Sequence, residues 1–394
     1  MSVVVPSVGG VRLIHTSDWH LGRSFHRVGL LDAQAAFIDH LVETVRSERV
    51  DVVLVAGDVY DRALPSVDVV SVLDDAICRL AATGAHIVLT SGNHDSARRL
   101  GFGARVLESG RVHLRTDPAR CAEPVVVEDR WGPVPLYPLP YLEPSIVARP
   151  LGASRADHAG VLRAAMDGVR ADLAGRFPSG ARAVVAAHAF VVGGDTSDSE
   201  RDISVGGVAA VPGGVFDGPT YVALGHLHGR QRISDRLRYS GSPLPYSFSE
   251  HRQVKGSWLV ELDELGLGRV TAVPAPVPRP LALLRGTLDA LLTDPAHAVH
   301  EASFCQVTLE DPSRPQDAMN RVRTRFPHTV ELRFAPLGAP GHDRTYTARV
   351  AGRDDLDVCC GFLEHVRQRT ADDGERALLD LALAAGRARE AEAS

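Results

Sequence analysis

Apolar residues in this chain come alternately in short continuous runs and at three-to-four spacing from Val11 to about Tyr141, the rhythm that α/β layering imposes. The run VRLIHTS predicts a strand that ends at Asp18. Leu31, Ala35, Ile38, Leu41, Val42 and Val45 then share one face of a helix within 30–48. DVVLVAGD predicts a strand ending at Asp58, a helix follows over about 66–82, and AHIVLTSGNHD predicts a third strand that delivers Asn93 and His94 to a loop. RAVVAAHAF and TYVALGHLHG repeat the habit, ending near His188 and at His226 and His228. Polar residues gathered where apolar strands stop are placed outside the carboxyl ends of a sheet, where ligands bind in such folds.

The pattern changes in two places. VVGGDTSDSERDISVGG, over 191–207, is polar and glycine-rich and reads as a surface loop. Alternating prolines in VPAPVPRP favour an extended connector over 274–280 and set a boundary between a domain at 11–273 and a smaller one at 281–350. In the smaller domain Cys305, Val307 and Leu309 alternate, Met319, Val322 and Phe326 have helical spacing, and Val330, Leu332 and Phe334 alternate again, a βαβ-like unit. The tail at 354–390 reads as two helices, with Leu356, Cys360, Leu363 and Val366 on one and Leu378, Ala382 and Ala385 on the other.

A length of 394 residues allows roughly two or three domains at about 150 residues each. With 44% hydrophobic and 23% charged residues the balance is that of a soluble, folded chain. No run approaches the ~18 to 20 apolar residues of a membrane span, and the start lacks a secretory pattern, so no membrane contact and a cytoplasmic location are expected. Five dispersed cysteines without C-x-x-C spacing read as reduced packing residues. A net charge of −6 is not that of a body that grips DNA by charge alone. Lys255 is the only lysine beside 42 arginines, a bias that GC-rich coding would produce.

The chemistry lies in Asp18-Trp19-His20, Gly57-Asp58-Val59-Tyr60-Asp61, Gly92-Asn93-His94-Asp95 and Gly225-His226-Leu227-His228, with His188 between the last two. Carboxylates and imidazoles with one amide suit Mn²⁺, Fe²⁺ or Zn²⁺ better than Mg²⁺ or Ca²⁺. Two ions bridged by one carboxylate form a clamp for phosphoryl chemistry, and Asp58 is the natural bridge.

These motifs resemble the calcineurin-like metallophosphoesterase superfamily, whose pattern is D-x-H, G-D-x-x-D, G-N-H-D/E, H, G-H-x-H, over about Val11 to Leu262. The resemblance implies a two-sheet αββα sandwich with a small α+β capping domain and C-terminal helices. It also implies Asp18, His20, Asp58 and His228 around one metal, and Asp58, Asn93, His188 and His226 around the other. His94 is implied to be catalytic, and Asp61 is placed to orient it. Arg62 has an equal claim to a phosphate contact and to a solvent salt bridge.

HTSDWHLGRSF, VAGDVYDRALPS, TSGNHDSARRL and YVALGHLHG with YSGSPLPYSFSE are similar to the bacterial SbcD-type, DNA double-strand-break repair branch of that superfamily. That branch implies two divalent ions, expected to be Mn²⁺, and ATP-dependent 3'-5' exonuclease action on duplex DNA with endonuclease action on single strands and hairpins. An SbcC-type coiled-coil ATPase partner, a homodimer, and work in repair, recombination and replication are implied with it. The alternatives are a phosphomonoesterase or cyclic-nucleotide phosphodiesterase with the same metal site, and a non-catalytic scaffold, whose mark would be lost ligands.

Overall fold

Two six-stranded sheets lie face to face in the computed structural model, which describes residues 9–201, 210–337, 354–367 and 369–393. The strands of the first are β1 (Arg12–Thr16), β4 (Val52–Ala56), β5 (His86–Thr90), β6 (Val112–Arg115), β13 (Gly256–Asp263) and β14 (Gly266–Pro274), in the order β14-β13-β1-β4-β5-β6. The second orders β11 (Gln231–Arg232), β12 (Leu237–Tyr239), β10 (Tyr221–Gly225), β9 (Val184–His188), β8 (Gly132–Pro138) and β7 (Val125–Asp129). A short antiparallel pair, β2 (Ser24–Phe25) and β3 (Val28–Gly29), stands apart.

The central strands β1, β4, β5 and β6 run parallel, as do β8, β9, β10 and β12. Every residue of β4, β9 and β10 is buried, as a strand covered on both faces requires, whereas edge strand β7 alternates buried and exposed. Leu13, Leu54, Val88, Val184, Ala223 and Val260 form the core between the sheets. Helices Leu31–Ser47 and Val67–Ala81 cover the outer face of the first sheet, and helix His158–Arg176 that of the second, which completes the αββα order. Fully buried His15 on β1 joins the sheets: its Nδ1 lies 2.9 Å from the Tyr221 hydroxyl and its Nε2 3.1 Å from the Leu224 carbonyl oxygen.

Beyond the proline segment a parallel sheet of β15 (Leu281–Gly286), β16 (Phe304–Leu309) and β17 (Thr329–Phe334) packs on helices Leu288–Thr293 and Ala318–Arg323 through Leu291, Val307, Val322 and Phe326. Phe304 reaches the larger part of the fold, joining Phe25, Leu244, Tyr246 and Phe248 in one apolar cluster. The chain through Ala335 accordingly forms one compact unit, and the chain from Pro336 a second. That second unit holds helices Asp355–Arg367 and Asp373–Ala393, tied by ion pairs Arg376–Asp357 and Arg367–Glu375 at 3.0 and 2.7 Å. The parts of the expected loop and capping domain that fall on 202–207 and 338–350 lie outside the described residues. Among the described residues no helix is long and apolar enough to cross a membrane.

Candidate metal centre

Each candidate motif sits at or just past the carboxyl end of a parallel strand: Asp18 after β1, Asp58 after β4, Asn93 after β5, His188 closing β9 and His226 after β10. Parallel strands in each sheet put all these ends on the same side. Reaching inward needs sharp turns. Asp18, His20, Asp58 and His226 adopt φ of 53°, 43°, 50° and 102°, left-handed conformations that cost about 1–3 kcal/mol each and persist only where the surroundings enforce them. The motif glycines make room for this convergence. A Cβ on Gly225 would stand 1.9 Å from the Ala56 carbonyl oxygen, and one on Gly92 would stand 2.1 Å from Asp58 Oδ1.

The turns bind one another through their backbones. Asp18 N–H donates to Gly57 O and His20 N–H to Asp58 O, both at 3.0 Å, while His226 N–H donates across the two sheets to Asp18 Oδ1 at 3.0 Å. His94 N–H donates to Asp58 Oδ1 at 2.9 Å. The result brings Asp18, His20 and His228 together, Asp18, Asp58 and His188 together, and His20, Asp58 and His94 together, the donor atoms of each group within 4.8 Å of one another. Asn93 Oδ1 lies 2.9 Å from His188 Nε2, and the His226 ring centre 5.3 Å from that of His188. Every candidate ligand but Asn93 is at most 5% exposed.

Donor chemistry tests whether this cluster fits cations. His188 Nδ1 points at the Ala56 carbonyl oxygen at 3.0 Å, so that nitrogen carries the hydrogen. Its Nε2 lone pair then faces two acceptors, Asn93 Oδ1 and Asp58 Oδ2, the latter at 3.4 Å. His228 likewise turns Nδ1 toward Ser199 Oγ and Glu250, leaving its Nε2 lone pair 3.1 Å from His20 Nε2. Acceptors that face acceptors in a buried space call for positive charge between them, and divalent ions fit. The Asn93 amide nitrogen is buried with no hydrogen-bond partner, which leaves its oxygen as the group the site uses.

The same logic appears in the protonation of the ion-free cluster. Burial opposes charge on His188, yet the facing Asp58 carboxylate outweighs it and raises the group to about 9. Burial pushes the Asp58 carboxyl up, but His188 and His20 hold it well below the usual range. Burial lowers His94 to about 4.

Some roles differ from expectation. Asp61 does hold His94, but through its main-chain carbonyl oxygen, 2.8 Å from His94 Nδ1. Its carboxylate faces His20 Nδ1 and Arg23, each at 3.5 Å, because the tight turn after Asp58 leaves the carbonyl, not the side chain, directed at His94. Arg62 is 83% exposed and lies 3.7 Å from Asp61 Oδ2.

Several residues for which no site role was expected serve the centre. Asp95 accepts from the N–H groups of Val59, Tyr60 and Gly92 at 3.0, 2.8 and 2.9 Å and so locks the turns after β4 and β5 together. Glu200 accepts from His228 N–H at 2.8 Å, and Arg201 donates to the Asn93 carbonyl at 3.2 Å, so the polar loop docks on the cluster. Only the run SFSE and the solitary lysine hinted at Glu250 and Lys255.

Residues 11–136 match the calcineurin-like phosphoesterase family, and residues 277–383 match the SbcD_C family, described as the type 5 capsule protein repressor C-terminal domain. Similar solved structures include TT1561 of Thermus thermophilus, at 11% identity and a TM-score of 0.37, covering 67% of this chain and 99% of that one. A dimetal phosphatase from Danio rerio is 14% identical with a TM-score of 0.40, covering 68% of this chain and 100% of that one.

Proposed function

We propose, for a chain that joins a calcineurin-like phosphoesterase domain to an SbcD-type C-terminal domain and so stands with the SbcD-type nuclease subunits, that it cleaves DNA in an ATP-dependent complex with an SbcC-type ATPase. It is a hydrolase of phosphoester bonds with His and Asp groups suited to divalent metal ions. The finer reading is a duplex 3'-5' exonuclease and a single-strand and hairpin endonuclease, active as a homodimer in the cytoplasm in DNA repair, recombination and replication. One observation carries the metal chemistry: the His188 Nε2 lone pair aimed at Asn93 Oδ1 and Asp58 Oδ2 across a buried space.

Bound divalent ions would polarise a phosphate and supply an activated water. Asp18, His20, Asp58 and His228 would hold one, and Asp58, Asn93, His188 and His226 the other. His94, only partly buried, stands beside Asp58 at 4.0 Å with its Nδ1–H held by the Asp61 carbonyl. That bond leaves Nε2 facing the space beside Asp58. Because burial lowers the group to about 4, the negative charge of a bound phosphate would be needed for Nε2 to take up the proton it then passes to the leaving oxygen. Arg23 and Arg201, at the edges of the cluster, would steady neighbouring phosphates.

Purified protein should digest labelled duplex and hairpin DNA with Mn²⁺ faster than with Mg²⁺, since four histidines favour the softer ion. Duplex digestion should rise when the ATPase and ATP are added. Rapid hydrolysis of phosphate monoesters with DNA left intact would instead make it a phosphomonoesterase, and equal rates in the two metals would refute the Mn²⁺ assignment.

A further inference from the structure

Lysine occurs once in this chain, and it is buried. Lys255 is 3% exposed, immediately before β13, in a sequence where every other basic residue is arginine. Its Nζ lies 2.8 Å from the His228 carbonyl oxygen, 2.9 Å from Ser242 Oγ, 2.7 Å from Gln253 Oε1 and 2.5 Å from Glu250 Oε2. Four acceptors gathered around one nitrogen engage all three N–H donors of an ammonium group. A planar guanidinium on a longer stem presents its donors in a flat fork and cannot occupy that position. Coding bias therefore fails to explain this position, and geometry does.

Glu250 is the other half of the arrangement and is 1% exposed. Its Oε2 accepts from Lys255 and, at 3.1 Å, from Tyr246 N–H. Its Oε1 faces His228 Nδ1 at 3.3 Å and accepts from Ser199 Oγ, which itself stands 2.6 Å from His228 Nδ1. One consistent proton order satisfies all three groups. His228 Nδ1–H donates to Ser199 Oγ, whose hydroxyl donates to Glu250, and Lys255 supplies the positive charge that a buried carboxylate needs. With its hydrogen committed to Nδ1, His228 keeps the Nε2 lone pair directed at His20 and the centre of the cluster.

We infer that Glu250 and Lys255 form a positioning pair that fixes the tautomer and ring orientation of His228, and thereby sets the affinity of one of the two metal positions. The inference rests on the reading of His228 as a metal ligand. Neither residue touches the space between the ligands, so both act through His228 and the loop carrying Ser199. Because His228 groups with Asp18 and His20, and not with His188, the effect is confined to one ion.

The test is calorimetric titration of Mn²⁺ into metal-free full-length protein, with the absorption bands of Co²⁺ as a second readout of stoichiometry. Wild type should take up two ions. Glu250→Gln keeps the shape but replaces two accepting carboxylate oxygens by one amide oxygen, so the Ser199 hydroxyl and Lys255 can no longer both be held and the lysine loses its counter-charge. Lys255→Arg keeps the charge but loses the geometry. Each should weaken one ion by about 10- to 100-fold while the other binds as in wild type. A general loosening of the fold would weaken both ions together, and that result overturns the inference, as does two-ion binding at wild-type affinity in both variants. Should either variant fail to fold by circular dichroism, Gln253→Ala, at a half-buried position, removes one lysine acceptor and should weaken the same single ion by a smaller factor. An unchanged affinity there overturns the inference equally. If wild type itself binds no Mn²⁺ or Co²⁺, the metal reading fails and the positioning pair is not what failed.

Discussion

Asp58 presents one carboxylate to His188, His20 and His94, at 3.4, 3.6 and 4.0 Å, so it is the residue on which both halves of the cluster depend. Asp58→Asn should therefore lower metal content and remove nuclease activity, leaving far-ultraviolet circular dichroism unchanged. His94→Ala separates two possibilities that geometry leaves together, since His94 lies within reach of His20 and Asp58. As a proton donor it should cost about 10²- to 10⁴-fold in rate with both ions retained. Loss of an ion on metal analysis would make it a ligand instead. His15 allows a pH prediction away from the metals. Burial lowers it from 6.5 to about 3, the Leu224 carbonyl partly opposing and Arg238 reinforcing. Between those values the unfolded chain binds a proton that the folded chain refuses. The contribution is thus complete above about 6.5 and is lost as pH falls, on the order of 2 kcal/mol by pH 5. His15→Asn should be less stable than wild type at pH 8 and close much of that gap at pH 5, as urea denaturation of the metal-free proteins would measure. A gap that does not change with pH would mean His15 takes its proton in the fold.

Strand ends govern the next scale. Where β4 and β10 converge from different sheets, Gly225 leaves no space for a side chain against the Ala56 carbonyl. Gly225→Ala must push the two sheets apart at their carboxyl ends, and it should reduce metal affinity at both positions while also lowering the melting temperature. A variant with wild-type metal binding would show that the strand ends move freely. This convergence was legible in the sequence because each motif ends an apolar run on a candidate ligand, with a glycine just before Asp58, Asn93 and His226, and a periodic run specifies a strand and its exit locally. The helices 31–47 and 67–81 were legible for the same reason. What was not legible depends on turns and distant pairs. The choice of the Asp61 carbonyl over its carboxylate follows from the path of one turn. The service of Glu250 and Lys255 to His228 depends on residues 22 and 27 positions away. No spacing rule reports such contacts, although a lone lysine among arginines was a signal that composition carried and that coding bias was allowed to explain.

At the scale of the whole molecule, the question is what the chain beyond Pro336 contributes to a protein of net charge −6. Such a body gains little DNA affinity from charge, so a nuclease of this composition benefits from a partner that closes around the duplex. The two terminal helices leave Phe362, Val366, Leu378 and Leu381 between 53% and 68% exposed. Fully burying an apolar side chain of this size is worth about 1.5–3 kcal/mol, and several on adjacent helices suffice to hold a partner's amphipathic helix. The SbcD_C match, at 277–383, spans these side chains as well as the small parallel sheet. We therefore expect the terminal helices to dock the SbcC-type ATPase, and processive cutting of duplex DNA to depend on that docking. The proposed metal ligands all lie at or before His228, so the chemistry should not depend on it. A chain ending at Ala335 should hydrolyse a small phosphodiester with Mn²⁺ at the full-length rate, but fail to co-purify with the ATPase and lose ATP-stimulated duplex degradation. Phe362→Ser with Leu378→Ser in the full chain should produce the same split without removing backbone. If the shortened chain and the double variant both still bind the ATPase and degrade duplex DNA at the full-length rate, docking lies elsewhere. Loss of small-ester hydrolysis as well would mean the terminal unit supports the fold of the catalytic one.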